Sequence, residues 1–277
     1  MQEDTDWMRP STQEFPPPTD LHPEIPHSAR IDNYLLGGKD HFPADREAAE
    51  RLIAIHPGTP AAAQAHRAFL ERAVRYVAAE GVTRFLDIGP GIPTGAATHE
   101  IAQQVDTGAR VVYVDSDPIV MAHVRALRSG AGHGATYAVR GDLRDPKQLL
   151  TDPLIRQALD FDRPVAVLLA GVLQFVDDDQ DPYGIVRTLL DALAPGSYLV
   201  LSHATDDFDP PARARRGRTV YGRTGSSLTP RTQAEVLRFF DGLELLRPGL
   251  VIPPEWRDQE PGSVGWSPDY AGVARKL

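Results

Sequence analysis

Five short, continuously apolar runs recur through the middle of the chain, at residues 84–88, 110–115, 136–139, 165–170 and 198–202. A strand that is apolar at nearly every position has no face to give to water. Such strands belong in a parallel sheet with helices over both sides. The stretches between them, 94–104, 118–127, 147–159 and 183–193, have helical composition. Each is long enough to carry the right-handed crossover that joins parallel strands. Runs at 243–246 and 270–276 read as two closing strands joined by a loop rich in Pro and Trp. Ahead of them, Thr229 as N-cap and Pro230 at the first helical position open a predicted helix, with Val236, Phe239, Phe240 and Leu243 at helical spacing.

The N-terminal third has a different texture. Residues 1–27 carry Pro10, Pro16, Pro17, Pro18, Pro23 and Pro26 among polar residues, a density that removes backbone donors and predicts an extended leader. Residues 28–81 then read as a helical cap. Two helices flank the Gly37–Gly38 break, a candidate hinge, and a third runs from about Pro60 to Glu80 before Gly81 closes it. The expected organisation is therefore a leader over 1–27, a cap over 28–81 and a Rossmann-like α/β core over 82–277.

The segment RFLDIGPGIPTG, residues 84–95, carries the most chemistry. A strand ends near Asp87, Gly89 and Gly91 permit a tight turn against which a ligand can lie, and a helix is expected to follow. A dinucleotide fingerprint requires glycine three residues after Gly91, where this chain has Thr94. An Asp beside the turn repels pyrophosphate and suits a cationic amino-acid moiety, which points to S-adenosylmethionine. Asp115 ends the second run, where a carboxylate can accept both ribose hydroxyls. Asp142 follows the third run and can accept from an adenine amino group, with the Leu143 N–H meeting the ring. Gly171, after the fourth run, leaves room for the methionine arm. All of these fall at the carboxyl ends of the strands, where open α/β sheets bind ligands.

At this point the chain resembles the class I S-adenosylmethionine-dependent methyltransferases, and more narrowly the bacterial S-adenosyl methyltransferase family. The resemblance rests on ARIDNYLLGGKDHFPADREAA, RAFLERAVRYVAAEGVTRFLDIGPGIPT, VVYVDSDPIVMAHVRAL, GDLRDP and FFDGLELLRPGLVIPPEWR, which together span most of residues 29–257. It implies a seven-stranded, mostly parallel sheet whose last strand is antiparallel, and it implies no substrate class. The cap is also similar to that of leucine carboxyl methyltransferases. That likeness implies Lys39 and Arg67 as ligands of the cofactor's carboxylate, a pairing that charge-assisted hydrogen bonds make favourable.

Methyl transfer to a nucleophilic acceptor asks mainly for alignment and dry surroundings. The chain lacks the Asn/Asp-Pro-Pro-Tyr signature of base-amino methylation. Its AGVLQFVDDD segment is closer to small-molecule methyltransferases, so a small acceptor is expected. His203, at the end of the fifth run, is the candidate general base. The run RARRGR, with Arg213, Arg215, Arg216 and Arg218, reads as a solvated loop, with an anion or nucleic-acid contact as the alternative. Tyr34, Tyr221, Trp256 and Trp266 are candidates to line the acceptor site or to pack elsewhere.

Composition narrows the remaining classes. At 42% hydrophobic residues the chain can build a sizeable core, so a disordered or fibrous protein is excluded. A net charge of −9 makes nucleic acid an unexpected partner. No cysteine means no disulfide, thiolate metal site or cysteine nucleophile, and the nine histidines show no HExxH spacing, so no metal is expected. MQEDTDWMRP lacks a secretory pattern and the longest apolar stretch, 165–176, is broken by Gly171 and Gln174, so a soluble, cytoplasmic chain with no membrane partner is expected. Oligomeric state is left open. Two alternatives stand beside the methyltransferase: a non-catalytic protein binding S-adenosylmethionine or S-adenosylhomocysteine, and a nicotinamide-dependent dehydrogenase.

Overall fold

The computed structural model describes residues 22–128, 135–224, 227–257 and 266–277. All but the last six residues of the expected leader, and part of the Pro/Trp-rich loop, lie outside the described residues. Seven strands form one sheet: β1 Arg84–Ile88, β2 Arg110–Asp115, β3 Thr136–Arg140, β4 Ala166–Ala170, β5 Tyr198–Ala204, β6 Glu244–Leu245 and β7 Asp269–Arg275. Their spatial order is β3-β2-β1-β4-β5-β7-β6. The first five are parallel, and β7 runs antiparallel to both β5 and β6. The mostly parallel sheet with an antiparallel last strand thus matches the expectation.

Alternate residues of the central strands enter opposite cores. Leu86, Val112, Val167 and Leu199 pack on one face, while Phe85, Val111, Ala166 and Tyr198 pack on the other. This two-sided burial is why these strands read as unbroken apolar runs. Burial of that apolar area from water is the main force holding helices to both faces.

Three helices precede the sheet: α1 Ser28–Leu35, α2 Pro43–Ile55 and α3 Thr59–Ala79. Arg30 and Asp45, both buried, pair at 3.0 Å and lock α1 to α2. Asp45 also accepts from the backbone N–H groups of His27 and Phe42. Gly38 is held rather than free: a Cβ there would come within 2.3 Å of the Asn33 side chain. Asn33 in turn donates to Thr94 Oγ1 at 2.9 Å, tying α1 to the glycine turn after β1.

Several expected helices are redrawn. The one predicted from residue 94 begins four residues later, as α4 Thr98–Val105, because Gly95 sits at φ +87° and Thr94 is engaged by Asn33. Its His99 N–H is spent on Tyr113 Oη at 3.0 Å. Helix α5 spans Pro118–Arg128. The stretch predicted as one helix over 147–159 is two, α6 Pro146–Thr151 and α7 Pro153–Leu159, because Pro153 lacks an N–H and Asp152 caps the second. Helix α8 spans Pro182–Asp191. The arginine run is no loop: it forms α9, Pro211–Tyr221. The helix expected at Thr229 starts at α10, Gln233–Leu237, with Thr232 as cap and Glu235 reaching back to it, and continues as a 3-10 turn over Arg238–Phe240. Thr229 instead bonds Gln174 O and Asp177. Among the described residues no helix is long and apolar enough to cross a membrane.

Candidate active site

The carboxyl ends of β1, β2 and β4 open into a cavity of about 390 Å³, walled on the opposite side by α1, α2, α3 and α9. This volume is in the range of small-molecule sites. Asp87, Gly89, Gly91, Asp115, Asp142, Leu143, Gly171 and Arg67 all line it, so eight residues that the sequence singles out share one space. Lys39 and His203 do not line it.

Gly89 and Gly91 have φ of +71° and +67°, a region L side chains rarely adopt. A Cβ on Gly89 would meet Val172 Cγ2 at 2.7 Å, whereas one on Gly91 would meet no protein atom within 4 Å. Bare backbone at Gly91 therefore faces open space. Asp87 is buried and accepts from Thr98 Oγ1 at 2.6 Å. Burial pushes its carboxyl up to about 6, against the lowering effects of Thr98 and Arg67. Burial likewise pushes Asp115 up to about 7, although the Asp117 N–H donates to its Oδ1 at 2.8 Å. Two carboxylates short of positive partners fit a ligand that brings a cation and hydroxyl donors.

Asp142 is different. Arg144 holds it through Nε at 2.9 Å and Nη2 at 2.7 Å, and that hydrogen bonding keeps the carboxyl below its ordinary value. An adenine amino group would have to share this carboxylate with Arg144. Arg67 donates from Nη2 to Ala96 O and stands 3.6 Å from Glu71 through Nε. Lys39 is exposed, so the role implied for it by the cap resemblance has no geometric support.

His203 is fully buried. Its Nε2 accepts from Arg231 Nη1 at 2.8 Å and its Nδ1 donates to Ala204 O at 2.8 Å, while Phe239 stacks on the ring. Desolvation pushes it down to about 4. With both nitrogens engaged and no access to the cavity, it is a structural link, and the expectation of a base there is corrected. His27, His56 and His66 do line the cavity, and of these His66, on α3, lies beside Gly171. The His66 Nε2 lies 2.5 Å from Ser202 Oγ, and burial pushes the imidazole down to about 4, so it is neutral near pH 7.

Of the four aromatic candidates, Tyr221 and Trp266 line the cavity. Trp256 is fully buried against Phe69 and Tyr76, and Tyr34 hydrogen-bonds Glu50 away from the cavity. Arg213 and Arg218 also line it, paired to Asp209 and Asp206, whereas Arg215 and Arg216 are exposed. Asp32, which lies in the ARIDNYLLGG segment without being singled out there, and Asp269 complete the wall.

Comparison with known proteins places this architecture. The sequence profile of a family described as S-adenosyl methyltransferase matches residues 15–277. Among solved structures, a DUF574 family protein from Streptomyces avermitilis is 41% identical over 93% of this chain and 100% of its own, with a TM-score of 0.88. A candidate methyltransferase from Thermobifida fusca is 40% identical over 95% of this chain and 99% of its own, with a TM-score of 0.85. No protein of curated function matches the sequence.

Proposed function

Because this chain belongs to the S-adenosyl methyltransferase family, and so is an S-adenosylmethionine-dependent methyltransferase, we propose that it methylates a small molecule bound on the cap side of the cavity. The cofactor, when bound, supplies a methyl group activated by a sulfonium. The observation that carries the small-acceptor reading is the shape of the site: one cavity of about 390 Å³ faces the strand ends on one side and four helices on the other. Helices on the side facing the strand ends favour an acceptor small enough to sit between them.

The residues divide the work. Gly91 presents backbone without a side chain. Asp115 accepts from ribose hydroxyls, and Asp87 sets a negative charge near the cationic end of the cofactor. Leu143 and Asp142 border the adenine, with Arg144 sharing the Asp142 carboxylate. Arg67, held by Ala96 O, faces the cofactor's carboxylate. Gly171 and His66 mark the boundary between the halves, where a neutral imidazole can hold a proton leaving the acceptor. With the methyl group already activated, alignment rather than acid–base chemistry carries most of the rate.

The test is formation of S-adenosylhomocysteine on incubation with S-adenosylmethionine and a cell extract split by size. Turnover confined to the small-molecule fraction is expected. Turnover confined to the macromolecular fraction would overturn the small-acceptor reading.

A further inference from the structure

Four carboxylates line the cap side of the cavity: Asp32 on α1, Asp206 and Asp209 before α9, and Asp269 at the start of β7. Two of them are answered, Asp206 by Arg218 and Asp209 by Arg213 at 3.4 Å. Asp32 and Asp269 are not. Among the described residues neither side chain has a salt-bridge or hydrogen-bond partner. Of the other titratable groups on the cap side, His27 faces Asp117, His66 faces Ser202 and Arg67 is held by Ala96 O and Glu71, while His56 stacks flat on Trp266 at 3.5 Å with its pKa lowered by desolvation.

A third polar group joins them from a third element. The Tyr221 hydroxyl, on α9, also has no hydrogen-bond partner among the described residues, and burial together with the charges of Asp32 and Asp269 raises its pKa. Partial desolvation by the surrounding walls pushes Asp32 up to about 6 and Asp269 up to about 7, with Asp32 adding to the second. Three elements from distant parts of the chain therefore bring three unpartnered polar groups to one void. Asp32 is exposed to the cavity and Asp269 and Tyr221 are half-buried in its wall, so all three present their polar atoms to a ligand rather than to protein. An arrangement that leaves all three open inside a ligand cavity is completed by its ligand.

We propose that the acceptor carries a protonated amine, held by Asp32 and Asp269 with the Tyr221 hydroxyl alongside, its apolar body against Leu36, Ile55 and Phe175. The proposal rests on the reading that the sheet-edge half holds the cofactor, which leaves this half for the acceptor. It concerns the handle by which the acceptor is held. A neutral acceptor would leave these carboxyls without a counter-charge, and an anionic one would add to the negative charge there, so the site disfavours both.

The experiment is thermal denaturation of the full chain with S-adenosylhomocysteine, alone and with a panel of apolar amines of graded length, each paired with its alcohol and its carboxylate. Binding to the folded state raises Tm. Amines are expected to raise Tm above the S-adenosylhomocysteine baseline and to bind at least about tenfold more tightly than their matched alcohols. The double variant Asp32→Asn/Asp269→Asn keeps side-chain shape and removes two uncompensated charges. It should lose the amine response and keep the S-adenosylhomocysteine response. Equal responses to amine and alcohol in the wild type, or an amine response that survives in the double variant, would overturn the proposal. Loss of the S-adenosylhomocysteine response in the wild type would instead overturn the cofactor reading beneath it.

Discussion

Along the sheet edge, each carboxylate has a partner nearby in the chain: Asp115 takes the Asp117 N–H, Asp142 takes Arg144, and Asp87 takes the Thr98 hydroxyl. Across the cavity, Asp32, Tyr221 and Asp269 come from α1, α9 and β7, and among the described residues none of their side-chain polar atoms has a hydrogen-bond or ion-pair partner. The first half is organised by local turns at the ends of parallel strands. The second half is assembled by tertiary packing, with Ile31, Leu35, Leu52 and Val220 sharing one apolar cluster behind it. A cofactor common to a family suits the first arrangement.

The contrast breaks most readily at Asp115. Asp115→Ala removes a carboxylate placed for two charge-assisted hydrogen bonds, so affinity for S-adenosylhomocysteine should fall on the order of a hundredfold. Asp32→Ala should leave it within about twofold, since that residue is assigned to the other half. Calorimetric titration of both variants reads the difference, and equal losses would erase the division.

The two histidines sharpen it next. His66→Ala should lower turnover at least about tenfold with S-adenosylhomocysteine affinity unchanged. His203→Ala should leave turnover near wild type but cost about 1–3 kcal/mol of stability, because Arg231 loses a buried partner. Paired turnover and denaturation measurements separate the roles, and loss of turnover in His203→Ala with Tm intact would reverse them.

The glycine turn offers a smaller contrast within one half. Gly89→Ala and Gly91→Ala share the strain of positive φ, about 1–3 kcal/mol. Only the first also drives a Cβ to 2.7 Å from Val172. Gly89→Ala should therefore lower Tm more than Gly91→Ala, as thermal denaturation will report.

The smallest effect is a gain. Asp269 has its carboxyl raised from 3.8 to about 7, so its contribution to stability is most favourable below pH 4 and is lost as pH rises through 7. Asp269→Asn removes that loss. Its Tm advantage over wild type should be larger at pH 8 than at pH 5, and an advantage independent of pH would show that Asp269 is not the group charging in that window.

The sheet-edge half was legible because continuous apolar strands dictate a parallel sheet, and a parallel sheet dictates where its loops converge. Asp87, Asp115 and Gly171 then follow from counting to the strand ends. His203 was misread by one position of the same counting. Side chains alternate across a strand, and Leu199 and Leu201 face the core that contains Phe239, so His203 faces it too. Ser202 points the other way, toward α3 and His66. That parity was present in the sequence. Asp32, Tyr221 and Asp269 were beyond such reasoning, because no local period links α1, α9 and β7. The arginine run was misread through its polarity, although Pro211 at the first turn and buried Ala214 and Val220 mark a helix with one packed side.

The most direct measurement of the central claim is calorimetric titration of the wild-type chain with S-adenosylhomocysteine, with NAD in a parallel cell. The account predicts micromolar binding of S-adenosylhomocysteine at one site per chain and no heat from NAD. Binding of NAD, or of neither compound, would contradict it.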